Sequence, residues 1–310
     1  MNSSCHKNTT VVTAGDQAYS WGVLLLAASM RMNGMPHPVV VGAMDWTDDM
    51  KSLVSSLGNV TIVDVPKSRR CMACQKPTMM ACGAVKTDWV CWVDSDGIFV
   101  GDCGEWLESD DADEVRIKRS DPVPPDFTPE TLAIWQRDVK RFWGQALPES
   151  RYPTRVQSGV ILIHRKWRSF LERWEAQINN VLPSDVGILM KKGTAYFQTD
   201  ESVLSSLFCF YPEAPRVTET YKFDGKIDRS RFYAHFGYNP KPWQMWNTYA
   251  SRWREATYAT VDWLVENNFV KSSEVPLPLR RNWWAFYRCL APAAPWVWRA
   301  IKLKRKLFGA

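Results

Sequence analysis

The sequence predicts an α/β fold: a mixed, mostly parallel sheet flanked by helices. Short β-branched runs alternate with segments whose apolar residues recur at helical spacing, the pattern of a parallel sheet covered by helices. One run, Trp89-Val90-Cys91-Trp92-Val93, is apolar without interruption, as a strand buried on both faces must be. The 310 residues, 45% hydrophobic and 23% charged, suit a soluble globular chain with a large core, and no fixed-period repeat points to a solenoid.

Thr10-Val11-Val12-Thr13 reads as the first strand, ending at Ala14-Gly15-Asp16, and Tyr19 to Met32 as the first helix. Pro38 to Gly42 gives a second strand, Asp48 to Leu57 a helix, and Val60 to Val65 a third strand. A helix from Pro77 to Lys86 leads into Trp89–Val93. The acidic stretch Glu105 to Glu114 and the proline-rich Asp121 to Pro129 read as an excursion over the sheet edge, followed by a helix from Glu130 to Leu147. Val160 to Ile163 is a further buried strand, Lys166 to Val181 and Asp200 to Phe210 are helices, and the chain beyond Pro240 is helical and rich in tryptophan.

The central strand stops at Asp94-Ser95-Asp96-Gly97. Ligands of open α/β sheets gather beyond the carboxyl ends of the strands, so two acids there stand where chemistry is expected. Residues i and i+2 of an extended segment point to one side, so Asp94 and Asp96 present both carboxylates to one divalent cation. Such a cation neutralises the charge that develops when a diphosphate leaves a sugar. The second cluster runs His235-Phe236-Gly237-Tyr238-Asn239-Pro240-Lys241-Pro242-Trp243. Histidine ligates transition metals, and Lys241, between two prolines, is placed as a point charge for phosphate oxygens.

Taken in order, Asp94-Ser95-Asp96, Gln157-Ser158-Gly159-Val160-Ile161-Leu162-Ile163, Thr199-Asp200-Glu201-Ser202 and His235-Phe236 with Lys241-Pro242-Trp243 resemble the glycogenin and bacterial lipopolysaccharide galactosyltransferase family. The resemblance runs from about Thr10 to Trp243. It implies a GT-A fold, a Mn2+-type ion (or Mg2+), a nucleotide-sugar donor, usually a UDP-sugar, and transfer with retention of configuration. Residue by residue, it makes Asp94, Asp96 and His235 the metal ligands and Lys241 the lysine that contacts the diphosphate. Ser95 and Gly237 join the donor site, Thr13, Ala14 and Asp16 line the nucleoside pocket, Tyr19 packs on the base, and Lys76 touches the donor. The chain then divides into a GT-A catalytic domain, residues 1–250, and a helical, Trp/Arg/Lys-rich C-terminal extension, residues 251–310.

Three positions depart from the family pattern. Gln157 stands where Asn is usual, Tyr238 replaces a glycine three residues after the histidine, and Glu201 occupies the place of a glutamine. Asp200-Glu201-Ser202 is similar instead to retaining galactosyltransferases of the blood-group type, which implies catalytic roles for Asp200, Glu201 and Gln157, with Glu201 attacking the anomeric carbon or stabilising positive charge there.

Eight cysteines in a chain of this length fit free thiols in a reducing compartment. Cys71-x2-Cys74 lacks the matching second pair of a zinc knuckle. No signal-length apolar run opens the sequence, so the expected location is cytoplasmic. Residues 275–310 hold eight Lys/Arg and no Asp or Glu, leaving about −2 of the net +6 for the rest. Interleaved with four tryptophans, these cations predict peripheral contact of residues 280–310 with an anionic membrane on its cytoplasmic face, which suits a glycan or glycolipid acceptor. Aromatics among cations also suit single-stranded nucleic acid, but that reading leaves the buried-strand acids unexplained, and no nucleic-acid partner is expected. A GT-A-like binding protein without turnover is the remaining competitor.

Overall fold

The computed structural model describes residues 8–66, 68–107, 109–218 and 232–308. The first half runs β1 (Thr9–Asp16), α1 (Ser20–Met32), β2 (Val39–Met44), α2 (Asp48–Ser56), β3 (Val60–Asp64), α3 (Lys76–Met80), β4 (Trp89–Val93), β5 (Gly97–Phe99), α4 (Gly104–Leu107), β6 (Glu114–Arg119) and α5 (Pro129–Trp143). There follow β7 (Val156–His164), α6 (Arg168–Val181), α7 (Asp200–Phe210), β8 (Arg216–Thr218), β9 (Tyr233–His235), α8 (Arg254–Glu266), α9 (Trp284–Leu290) and α10 (Ala294–Phe308).

Seven strands form one sheet in the order β3-β2-β1-β4-β7-β6-β8. β1 to β4 and the β6–β8 pair are parallel, and β7 lies antiparallel to both β4 and β6. Alternate side chains of each central strand enter two separate cores. Val11, Val41, Cys91 and Leu162 face one, with α1 and α8; Val12, Val40, Trp92 and Ile161 face the other, with α5, α6 and α7. This two-sided burial is why β4 reads as continuously apolar. Residues beyond 250 join the first core: Tyr258, Val261, Leu264, Val275 and Leu279 pack there with Leu24 and Leu25 of α1.

Several expected boundaries move. α3 ends at Met80 rather than Lys86, where Ala81 N–H donates to the Pro77 carbonyl and Gly83, a weak helix former, follows. α5 stops at Trp143 because Gly144 takes a left-handed φ of +77°, which ends the helix before Leu147. The edge excursion contains a strand, β6, whose Val115 and Ile117 are fully buried between charged neighbours. β5 and β9 form a separate two-stranded antiparallel sheet with Gly97 opposite His235.

Candidate active site

β4 ends at Val93, and Asp94-Ser95-Asp96 carries the chain from the main sheet into β5. Backbone bonds fix this crossing: Asp94 N–H donates to the Gly159 carbonyl on β7 (2.9 Å), Phe236 N–H donates to the Asp96 carbonyl (2.8 Å), and the Tyr233 hydroxyl donates to the Asp94 carbonyl (2.7 Å). Glycine permits the approach at two points. A Cβ at Gly97 would lie 2.3 Å from the Tyr233 hydroxyl, and one at Gly22 of α1 would lie 2.3 Å from the Ser95 carbonyl oxygen.

Pairing of β5 with β9 brings His235 to the aspartates across 139 residues of sequence. One ligand atom from each of Asp94, Asp96 and His235 lies within 4.8 Å of the others, and His235 Nε2 is 3.0 Å from Asp96 Oδ1. Neighbouring ligands of an octahedral ion with bonds of about 2.1 Å stand about 3.0 Å apart, and opposite ones about 4.2 Å. The His235–Asp96 spacing matches neighbouring ligands of such an ion, and a donor set of two carboxylates and one imidazole suits a divalent ion of the Mn2+ type.

Two buried lysines each take one carboxylate oxygen. Lys241 Nζ is 2.5 Å from Asp96 Oδ2 and also donates to the Gly237 carbonyl, while Lys76 Nζ is 3.0 Å from Asp94 Oδ1, which also accepts from Trp92 Nε1 (2.7 Å). Burial pushes the Asp96 carboxyl up, but His235 and Lys241 outweigh it and hold the group well below the usual carboxylate range. Burial raises Asp94 above its ordinary value, opposed by Lys76 and reinforced by Asp96. Burial lowers His235, yet the Asp96 charge overrides it and the imidazole is raised.

Two cavities meet at Asp94. One, of about 270 Å³, is lined by Ala14, Asp16, Tyr19, Lys76, Ser95 and Asp96. The other, of about 460 Å³, is lined by Gln157, Glu201, His235, Gly237 and Tyr238, with Arg155. Of the remaining expected residues, Thr13 is fully buried in β1, one position from the cavity wall, and Lys241 is buried beneath Asp96. Asp200 is buried behind the cavities: it accepts from Ser158 Oγ (2.8 Å) and lies 3.2 Å from Lys76, so Lys76 ties it to Asp94. Glu201 Oε2 accepts from Ser158 N–H (3.1 Å), and Oε1 is 3.5 Å from Arg155 Nε. Burial pushes Glu201 up to about 7 although Arg155 opposes it.

Sequence reasoning missed Arg155, Tyr233 and the Tyr238–Tyr249 contact (ring centroids 5.4 Å apart) beside the larger cavity. Tyr233 alone carried a signal, sitting two positions before His235 in an extended run; its ring stacks on the imidazole, with centroids 6.3 Å apart.

No protein-family model and no curated protein matches the chain. Solved structures do. The galactosyltransferase LgtC, in complex with donor and acceptor sugar analogues, superposes with a TM-score of 0.50 at 14% identity, covering 89% of this chain and 99% of LgtC. An active-site mutant of LgtC gives 0.51 at 16% identity, covering 81% and 95%. The glycosyltransferase GlyE of Streptococcus pneumoniae TIGR4 gives 0.51 at 18% identity, covering 86% of this chain and 65% of GlyE. The chain spans about half (49%) of the bifunctional glycosyltransferase WbbM, with a TM-score of 0.48 at 16% identity over 81% of this chain. At these identities the likeness to LgtC and GlyE establishes the architecture, and the chain has the GT-A fold.

Proposed function

We propose that the chain is a metal-dependent glycosyltransferase that moves a hexose from a nucleotide-sugar, a UDP-sugar, to a glycan or glycolipid acceptor with retention of configuration. The observation that carries this reading is the convergence of Asp94, Asp96 and His235 where two cavities meet. An ion held there supplies positive charge to the departing diphosphate. Lys241, aligned by Asp96 and the Gly237 carbonyl, adds a fixed charge on the same side. The smaller cavity takes the nucleoside, with the ring of Tyr19 as a wall for the base and Ala14 and Asp16 beside it. The larger cavity takes the transferred sugar and the acceptor.

Glu201 and Gln157 share the wall of that larger cavity. A Glu201 carboxylate oxygen attacks the anomeric carbon as the carbon–phosphate oxygen bond breaks, and the diphosphate leaves with the electron pair. The acceptor hydroxyl oxygen then attacks the anomeric carbon, Glu201 leaves as its carboxylate and the hydroxyl proton passes to the released diphosphate, giving two inversions and net retention. Asp200 acts from behind, holding Lys76 against Asp94.

Among the described residues no helix is long and apolar enough to cross a membrane. The reading includes peripheral contact with the cytoplasmic leaflet, supported by exposed Phe286, Trp296 and Leu303 on α9 and α10, where Arg299 lies over the Trp296 ring. Residues 309–310 of the segment expected to make this contact lie outside the described residues.

A screen of UDP- and GDP-sugars for Mn2+-dependent hydrolysis tests the function, because slow transfer to water reports the donor before the acceptor is known. Absence of turnover with every donor, together with no metal-dependent protection by UDP, would overturn it.

A further inference from the structure

Cys71 and Cys74 form a thiol pair that no step of the proposed transfer uses. Their sulfurs are in hydrogen-bond contact at 3.7 Å, across a turn in which Cys74 N–H donates to the Cys71 carbonyl (3.1 Å). Cys71 N–H donates in turn to the Val186 carbonyl (2.9 Å), which pins the start of the turn. A disulfide is about 2.05 Å long, so closure requires the sulfurs to approach by about 1.7 Å, within reach of side-chain rotation and a small backbone shift.

The two thiols differ in the way a reactive pair requires. Cys71 is half-buried and lines the smaller cavity beside Asp16 and Tyr19, whereas Cys74 is only 4% exposed. The hydrogen bond from the Cys74 thiol, helped by the backbone N–H groups of Cys74 and Ala73, lowers the Cys71 thiol against the effects of burial and Asp200. That same bond, with burial and the Cys71 charge, raises Cys74, and the part of the rise that comes from Cys71 is relieved once Cys71 has reacted.

We propose that Cys71 and Cys74 are a reversible dithiol–disulfide couple in the wall of the nucleoside-side cavity, oxidised by small-molecule disulfides and shielded by a bound nucleoside diphosphate. The Cys71 thiolate attacks one sulfur of the external disulfide, forming a mixed disulfide and expelling one thiolate. Cys74, deprotonated to solvent, then attacks the Cys71 sulfur and expels the second. Two thiols of this chain lose two electrons, and the external disulfide is reduced to two thiols. The shielding half rests on the proposed placement of the nucleoside; the couple itself does not.

The test uses reduced full-length protein, glutathione disulfide as oxidant, acid quenching, alkylation and peptide mass mapping. The expected product is an internal Cys71–Cys74 disulfide that dithiothreitol reverses, while C74S stops at a glutathione adduct on Cys71. Accumulation of adducts only, or no reaction at Cys71 while the exposed Cys289 reacts, overturns the couple. In the second arm, UDP with Mn2+ at ten times its measured Kd slows closure about tenfold and leaves Cys289 unaffected. UDP that binds by calorimetry yet leaves the rate unchanged overturns the shielding. UDP that fails to bind sinks the donor reading instead, and the first arm still decides the couple.

Discussion

Replacing Glu201 by Gln separates catalysis from folding at one residue. Burial raises this carboxyl from an ordinary 4.5 to about 7. At about 1.4 kcal/mol per tenfold, that difference is worth roughly 3 kcal/mol. The folded-state value is the higher one, so the contribution to stability is fully present below the unfolded value and is lost as pH rises through about 7. Glutamine stays neutral and loses nothing over that window. It is a weaker partner for Arg155, but Arg155 keeps Asp126 at 2.6 Å, so the expected gain at pH 8.5 is about 1–3 kcal/mol, with none at pH 4.5. In a domain of this size each kcal/mol raises Tm by about 2–4 °C. Calorimetry of Glu201→Gln and wild type at both pH values measures it. Hydrolysis and transfer, followed on the same samples, should fall by about 100-fold or more while metal and UDP binding persist. Wild-type activity should also decline as pH drops below about 7, because the anion is the attacking form. Equal melting temperatures at pH 8.5 would refute the burial argument, and unchanged turnover would refute the nucleophile.

His235→Ala removes one of the three proposed metal ligands and should weaken Mn2+ by more than the roughly 10–100-fold that loss of an outer partner costs, as read by isothermal titration. Wild-type Mn2+ affinity should fall as pH is lowered, beginning above the range of a free histidine, because His235 and Asp94 are both raised and both must shed protons to bind. Gly237→Ala forces φ +61° on an L side chain and sets a Cβ 3.0 Å from Tyr249 Cε1, so thermal unfolding should show a loss of roughly 1–2 kcal/mol. For the membrane, truncation after Glu274 is the wrong tool, since Val275 and Leu279 belong to the core. The double change Trp296→Ser and Leu303→Ser touches two exposed positions instead and should weaken sedimentation with phosphatidylserine vesicles at least about tenfold; unchanged sedimentation would remove the membrane reading.

The centre of the main sheet was legible because β2 and β4 are buried on both faces and therefore read as apolar, and β4 with its terminal acids announced the sheet, whereas β6 and β8 toward one edge carry charged side chains beside their buried ones and did not read as strands. β5 and β9 were not legible either. Each has three residues, too few to show a period, and among the described residues each pairs only with the other across a long stretch of chain. His235 was therefore reached through the order of motifs, whereas the fold places it through Gly97, where only glycine admits Tyr233. The place of Asp200 was hidden for a different reason. A carboxylate at a helix start carries no sequence sign of its partners, and only the fold puts Asp200 against Lys76 and Ser158, away from both cavities.

The charges around the site follow one rule. Asp94, Asp96 and Glu201 each face a cavity and each have a cation on one carboxylate oxygen: Lys76 on Asp94 Oδ1, Lys241 on Asp96 Oδ2 and Arg155 beside Glu201 Oε1. A buried acid without such a partner would protonate, and a protonated acid can neither ligate a hard cation nor attack carbon. An acid fully enclosed by partners would be equally useless. On the two aspartates the lysine pairing is one-sided. On Asp94 the lysine and Trp92 Nε1 crowd a single oxygen, and Oδ2 faces the wall at Gly159, where a Cβ would stand 3.2 Å away. On Asp96 the oxygen away from Lys241 is the one that meets His235. The buried cations thus oppose the protonation that burial favours, outweighing it at Asp96 and offsetting only part of it at Asp94 and Glu201, and the two lysines fix which oxygen of each aspartate is occupied.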